Sequence, residues 1–468
     1  MAKSPANRPS TVGDLKSSGY HPAHIKEEIR RNLISIIEKG DRLFPGIVGF
    51  EDTVIPQLEN AILAGQDIVL LGERGQAKSR ILRQLVTLLD AEIPVIAGCE
   101  VNDNPFSPIC RRCKDLVSDK GDGAPVSWLP RDRRYGEKLA TPDISVADLI
   151  GEIDPIRVAE GRYLADELTI HFGLVPRTNR GIFCINELPD LAERIQVSLF
   201  NLMEERDIQI KGYRIVLPLD VMLVASANPE DYTNRGRIIT PLKDRYGAQI
   251  RTHYPKLPEH EIAIIEQEHS RFADTRDRVI VPQYMKEVIA EITRLARKSP
   301  EINQRSGVSL RVSIANYETL LGSAFKRSLR RREVASPRVS DLPGILASTT
   351  GKIELETTEE GKEGRVVEDL IKKAVVNVFN RHVGTADLSG LVTRFDSGLI
   401  VETGADIPSA RYVEKLRGVD DISKVVQKLV PSEEPATFAS AVELILEGMH
   451  LNRKLNREMV SGRYQYRR

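Results

Sequence analysis

Residues 70–80 read LLGERGQAKSR, directly after the apolar run Ile68-Val69-Leu70-Leu71 and directly before a helical pattern carrying Ile81, Leu82, Leu85 and Leu88. Strand, glycine loop and helix, in that order, are the context a phosphate-binding loop demands. Such a loop needs glycines so that backbone N–H groups turn inward onto phosphate oxygens, a lysine to neutralise the β- and γ-phosphates, and a hydroxyl to ligate Mg²⁺. Gly72, Gly75, Lys78 and Ser79 supply these parts, and Glu73, Arg74, Gln76, Ala77 and Arg80 complete the binding segment. Ala77 stands just before the lysine, where glycine is usual; a helical backbone there predicts that alanine is tolerated.

Working outward, a nucleotide hydrolase also needs polar groups at the end of a neighbouring strand, to organise the metal and to polarise water. The run GIFCINELPDL (181–191) fits: a buried strand ends in Asn186-Glu187, before a helix opened by Pro189 and patterned by Leu191, Ile195, Leu199 and Leu202. Glu187 is the candidate catalytic base, and Ser79, Asn186 and Glu187 are the candidate metal shell. Asn186 sits where an aspartate is expected; its amide can bind a metal-bound water but brings no charge, so slow hydrolysis is a live alternative. A third β-rich run, VMLVASANPEDY, ends in Asn228, placed to hold the attacking water or touch the γ-phosphate. Then come TPLKDRYGAQ with Arg245 and GVSLRVSIANYETLL with Arg311 at a helix start.

The 468 residues exceed one small domain, and 41% hydrophobic content suits a folded protein rather than a disordered one. Lys and Arg (67) cancel Asp and Glu (67), so no global field draws in nucleic acid or anionic membrane. No apolar stretch approaches the roughly 20 residues of a membrane span. The polar N-terminus lacks a secretory signal and the chain has four cysteines, which points to the cytoplasm. Turn signals divide the chain into an N-terminal helical extension (1–44), an α/β domain with a parallel sheet (45–255), a helical lid (256–350) and a C-terminal helical domain (351–468).

The order of these motifs resembles the AAA+ ATPases, most closely the clade of the magnesium chelatase ATPase subunit and the MoxR proteins, over residues 45–345. GERGQAKS, IGEID, FGLVPRTNRGIFCINEL, and ASANPEDY followed by PLKDRYG are similar to chelatase segments in the same order, and the alanine before Lys78 is typical of MoxR loops. The resemblance implies ATP and Mg²⁺ as cofactors, with Asn228 as sensor 1, Arg245 as the arginine finger and Arg311 as sensor 2. Ile47, Val48 and Gly49 are similar to the segment lining the adenine pocket. A finger acting on the neighbouring subunit implies a homo-oligomeric ring, by family expectation a hexamer. The clade also implies a partner protein with a von Willebrand A-type module. The sigma-54 interaction domains of enhancer-binding activators are a related class, but their GAFTGA loop is absent.

Around this core, RDIQIKGYRIVLPLD has a hairpin pattern about Lys211-Gly212. Residues 143–176 are too long for a simple crossover and resemble the helix-2 insertion of this clade; the resemblance implies inserts that face a pore or a partner, with decorated surface loops as the alternative. Cys99, Cys110 and Cys113 form a CxxC pair with a third cysteine upstream; with no fourth cysteine nearby, free thiols in an exposed loop outweigh zinc. Residues 432–459 read as one amphipathic helix. The basic runs KRSLRRR (326–332) and NRKLNREMVSGRYQYRR (452–468) read as solvated faces rather than a nucleic-acid site. Three functional classes follow: an ATP-driven motor that remodels or activates a partner protein, a nucleic-acid motor, and a nucleotide-dependent scaffold that barely hydrolyses.

Overall fold

A computed structural model describes residues 8–154, 156, 167–204, 208–210, 213–215, 217–228, 236–356, 361–384, 386–432 and 434–468. It divides into two compact units, Met1–His253 and Tyr254–Arg468.

The first unit is built on a five-stranded sheet of β1 (Ile68–Leu71), β2 (Tyr135–Leu139), β3 (Gly181–Asn186), β4 (Val221–Ala227) and β5 (Ala248–Arg251). The strand order is β5-β1-β4-β3-β2 and every pairing is parallel. Parallel strands need crossovers, whose helices cover both faces, and the inner strands β1, β3 and β4 therefore read as unbroken apolar runs. The two-residue side-chain period divides those runs between two cores. Ile68, Leu70, Ile182, Cys184, Met222 and Val224 enter one, while Val69, Phe183, Ile185, Leu223, Ala225 and Ala227 enter the other.

Helix Ile25–Lys39 places Ile25, Ile29 and Leu33 in the first of these cores and ends on Gly40 in the left-handed region (φ 70°), as its sequence predicts. An ion pair fixes it there. Arg134 reaches both carboxylate oxygens of Glu28 at 2.7 Å, with the two side chains only 1% and 4% exposed. On either side of residues 211–212, Ile208–Ile210 pairs antiparallel with Tyr213–Ile215, with Ile208 opposite Ile215. In the 143–176 segment, Gly151–Ile153 pairs antiparallel with Ile170–Phe172; the residues between them are mostly outside the described ones. The helix expected from Pro189 begins later. Leu188–Asp190 form one 3₁₀ turn and the α-helix runs over Glu193–Glu204, because Leu191 takes an extended backbone (ψ 130°) that breaks the path.

In the second unit, helices Pro258–Glu268, Gln283–Ala296, Arg311–Arg331, Lys362–Val383 and Pro435–Leu451 share one hydrophobic cluster, to which the stretches read as lid and C-terminal domain both contribute. Helix Pro435–Leu451 is buried all round from Ala436 to Met449. Its acids are satisfied internally: Glu443 accepts from Tyr412 Oη (2.5 Å) and Ser340 N (2.8 Å), and Glu447 from Arg457 (2.6 Å) and Tyr466 Oη (2.5 Å). The single helix expected over 432–459 is corrected here. It stops at Leu451, and the basic tail folds into the antiparallel strands Asn456–Val460 and Arg463–Arg467, which join Val401–Thr403 in a three-stranded sheet. Among the described residues no helix is long and apolar enough to cross a membrane.

Candidate functional site

The carboxyl ends of β1, β3, β4 and β5 meet at one edge of the sheet, and the loops leaving them form the crevice in which open α/β sheets bind ligands. After β1 the chain turns through Gly72–Ala77 into helix Lys78–Gln84. A Cβ at Gly72 would collide with the side chains of Thr252 and Gln76, and Gly75 has φ 76°, so both positions require glycine. Gln76 is buried and ties the loop to the end of β5, accepting from Thr252 Oγ1 at 2.7 Å and from Glu73 N at 3.1 Å. The expectation of a helical Ala77 is corrected: its backbone is left-handed (φ 57°, ψ 11°), the region that makes glycine usual there.

Lys78 is 6% exposed, and its ammonium donates to Gly72 O (2.5 Å), Glu73 O (2.9 Å) and Asn228 Oδ1 (2.6 Å). Asn228, at the tip of β4, turns its other end to the tip of β3, donating Nδ2 to Glu187 Oε2 at 2.7 Å. Glu187 also has a left-handed backbone (φ 55°), and its N–H is held by Ser226 Oγ at 3.2 Å. Strained backbone of this kind persists where the surroundings fix it, and here it carries the carboxylate off the strand end. Ser79 Oγ donates to Asn186 Oδ1 at 3.3 Å, as does Ser226 Oγ at 3.1 Å. Lys78, Ser79, Asn186, Glu187 and Asn228 are therefore brought together.

One participant was missed in the sequence. Asn186 Nδ2 donates to Glu137 Oε1 at 2.5 Å, and Glu137 is itself gripped by Arg83 at 2.7 and 2.8 Å. The Arg83 guanidinium holds the Glu137 carboxyl below the usual carboxylate range. Its signal was the register of an edge strand, in which Glu137 lies beside Cys184.

Other expected residues lie elsewhere. Arg74 is exposed and Arg80 half-buried at the loop; Ile47, Val48 and Gly49 are half-buried just after the turn at Pro45-Gly46, with Ile47 against the core of helix Ile25–Lys39. Arg245 ends helix Thr240–Arg245, where Glu204 binds its Nε at 2.6 Å and the Phe200 ring lies 5.3 Å away. Its ion-pair partner is Glu204, a nearby acid. Arg311 is exposed at the first position of its helix in the second unit. A cavity of about 550 Å³ beside the loop is lined by Gly72, Glu73, Gln76, Lys243, Arg251 and Thr252.

The magnesium-chelatase subunit ChlI of a Nostoc species is 29% identical over 269 residues, 55% of this chain and 65% of that relative. The subunit of the same name from Cyanidium caldarium is 24% identical over 390 residues, 78% of this chain and 93% of its own. In sequence the chain is similar to the AAA+ ATPases of the magnesium chelatase type. The chain spans slightly less than two thirds of the Nostoc relative, and no family model matches it. Among solved structures, a complex of the magnesium chelatase subunits BchI and BchD aligns with a TM-score of 0.36 and 21% identity over 70% of this chain and 98% of the other.

The three cysteines expected in an exposed loop are instead gathered inward: Cys110 and Cys113 are buried, Cys99 is half-buried, and Asp103 joins them. Cys184 is a core residue of β3.

Proposed function

We propose that the chain binds Mg-ATP in the loop after β1, hydrolyses it, and uses the cycle to remodel or activate a partner protein. The observation that carries this reading is the continuous line Lys78–Asn228–Glu187, at 2.6 and 2.7 Å, across the ends of three strands. A buried ammonium under a glycine cradle fits a phosphate chain, and a hydroxyl, an amide and a carboxylate at Ser79, Asn186 and Glu187, with Glu137 behind Asn186, fit a hard cation. These residues would hold Mg²⁺, which when bound neutralises charge on the transferred phosphoryl group. Loop N–H groups and Lys78 bind the phosphates. The Glu187 carboxylate accepts the proton of the attacking water, and Asn228 orients that carboxylate.

Arg245 serves the neighbouring subunit's site in a ring, which we take to be hexameric. Leaving Glu204 costs it little, since an ion pair this exposed is worth about 0–1 kcal/mol. Arg311 as sensor 2, Ile47, Val48 and Gly49 at the adenine, a MoxR-like role and a von Willebrand A-type partner complete the proposal. A weakly hydrolysing scaffold is the second reading, favoured by the neutral Asn186.

Thermal unfolding with and without Mg-ATP tests the site. Ligand at about 100 times its Kd stabilises the wild type by about 2.7 kcal/mol. Lys78→Ala should lose that shift, and a wild type with no shift would overturn the assignment.

A further inference from the structure

Three sulfurs and a carboxylate oxygen converge in the first unit. The ligand atoms of Cys99, Asp103, Cys110 and Cys113 all lie within 4.8 Å of one another, and the Cys99 and Cys110 sulfurs are 4.0 Å apart. A tetrahedral zinc ion with Zn–S bonds of about 2.3 Å spaces its sulfurs about 3.8 Å apart, so small side-chain shifts close the shell. We propose that Cys99, Asp103, Cys110 and Cys113 bind one zinc ion as a closed structural site.

Burial comes first. Asp103 is 0% exposed, Cys113 1% and Cys110 4%. A carboxylate that far from water is costly unless its oxygens are satisfied. Asp103 Oδ2 accepts from Cys110 N at 3.0 Å, but Oδ1 is buried with no hydrogen-bond partner among the described residues. A cation bound by this carboxylate supplies the missing interaction.

The backbone is arranged for thiolates. Val101 N and Asp103 N each donate to Cys99 Sγ at 3.4 Å, and Cys113 N donates to Cys110 Sγ at 3.4 Å. Supporting donors of this kind orient metal ligands and stabilise their charge. Cys110 caps helix Arg111–Lys120, which sets Cys113 in its first turn, and a left-handed Asn102 (φ 52°) turns Asp103 back toward Cys99. Three thiolates and a carboxylate around Zn²⁺ leave two negative charges, and the Arg112 guanidinium is hydrogen-bonded to the carbonyl of Gly98, the residue before Cys99.

Four protein ligands leave no open position, so the ion staples rather than catalyses. The staple holds the loop that leads to the start of β3: Asn102 Nδ2 donates to Arg177 O at 2.6 Å, and Asn179 Nδ2 to Val101 O at 2.9 Å. Lys78 and Glu187 lie at the other end of the sheet strands, so the site is separate from the phosphate chemistry. On binding, each thiol releases its proton to solvent.

The test is metal analysis of the full chain purified without added zinc, followed by titration of the reduced, chelator-stripped protein with Co²⁺. We expect one zinc per chain, and a cobalt spectrum with thiolate-to-metal charge transfer and tetrahedral d–d bands. Asp103→Asn should weaken zinc and cobalt affinity by at least the roughly 10–100-fold that even a supporting residue contributes, while keeping the charge-transfer band. Cys110→Ser should lower that band by one thiolate's share of three; if it fails to fold, the wild-type spectrum and Asp103→Asn still decide. Reduced wild type that binds neither metal, a cobalt spectrum without charge transfer, or an Asp103→Asn variant of unchanged affinity would each overturn the four-ligand site, as would a native Cys99–Cys110 disulfide.

Discussion

Asn186 donates its amide to Glu137 at 2.5 Å, placing a carboxylate directly behind the neutral residue at the tip of β3. In the proposed cycle Glu137 restores the negative charge that Asn186 lacks. Glu137→Gln should reduce turnover about 10–100-fold and raise the Mg²⁺ concentration needed for half-maximal phosphate release, and adding Asn186→Asp should recover part of both. Phosphate release across a Mg²⁺ titration checks this; unchanged Mg²⁺ dependence contradicts it.

The same carboxylate makes a prediction in pH. Arg83 holds Glu137 below its ordinary value of 4.5, so the folded state favours the ionised form. The stability gained is present above that value and is lost as pH falls through the lower folded one. The melting-temperature gap between wild type and Glu137→Gln should stay constant from about pH 7 down to about pH 5 and close in stronger acid. The half-exposed Arg83 keeps the gap modest, about 1 kcal/mol or less. A gap that widens in acid contradicts the assignment.

Ala77 stores backbone strain. A left-handed conformation costs a non-glycine residue about 1–2 kcal/mol, against roughly 0.5–1 kcal/mol of extra chain entropy lost by glycine on folding. Ala77→Gly should therefore stabilise by up to about 1 kcal/mol in denaturant unfolding. Ala77→Val should destabilise and weaken the Mg-ATP thermal shift. A glycine variant clearly less stable than wild type contradicts the left-handed backbone.

The parts of the site legible in the sequence are those carried by local pattern. Ile68–Leu71, Gly181–Asn186 and Val221–Ala227 are apolar because both faces of their sheet are covered, and Lys78, Asn186, Glu187 and Asn228 fall at their ends. Glu137 was hidden because YGEKL is an edge strand with no such pattern, and its partner lies 49 residues away. Asp103 was hidden because counting cysteines leaves out carboxylates, although it lies four residues after Cys99 and seven before Cys110. In the tail, Arg463, Gln465 and Arg467 alternate with Tyr464 and Tyr466, a strand period masked by reading the run only for its charge. The left-handed turn at Ala77 arises from the closed loop, and alanine itself gives no hint of it.

Docking of the N-terminal helix depends on Arg134 and Glu28. Glu28→Ala leaves a guanidinium that is 1% exposed without its carboxylate, which should cost about 3–5 kcal/mol. Arg134→Met in the same chain should return part of the loss by removing the stranded charge. Denaturant unfolding of the two single variants and the double variant checks this; additive losses contradict it.

Steady-state phosphate release by the wild type and Glu187→Gln under saturating Mg-ATP addresses the hydrolytic claim itself. The amide keeps the shape of the carboxylate and the contact to Asn228, but cannot take the proton of water. The account predicts wild-type turnover exceeding that of Glu187→Gln by about 10²–10⁴-fold, with the Mg-ATP thermal shift retained in both. Wild-type release no faster than that of Glu187→Gln would contradict it and leave the scaffold reading in its place.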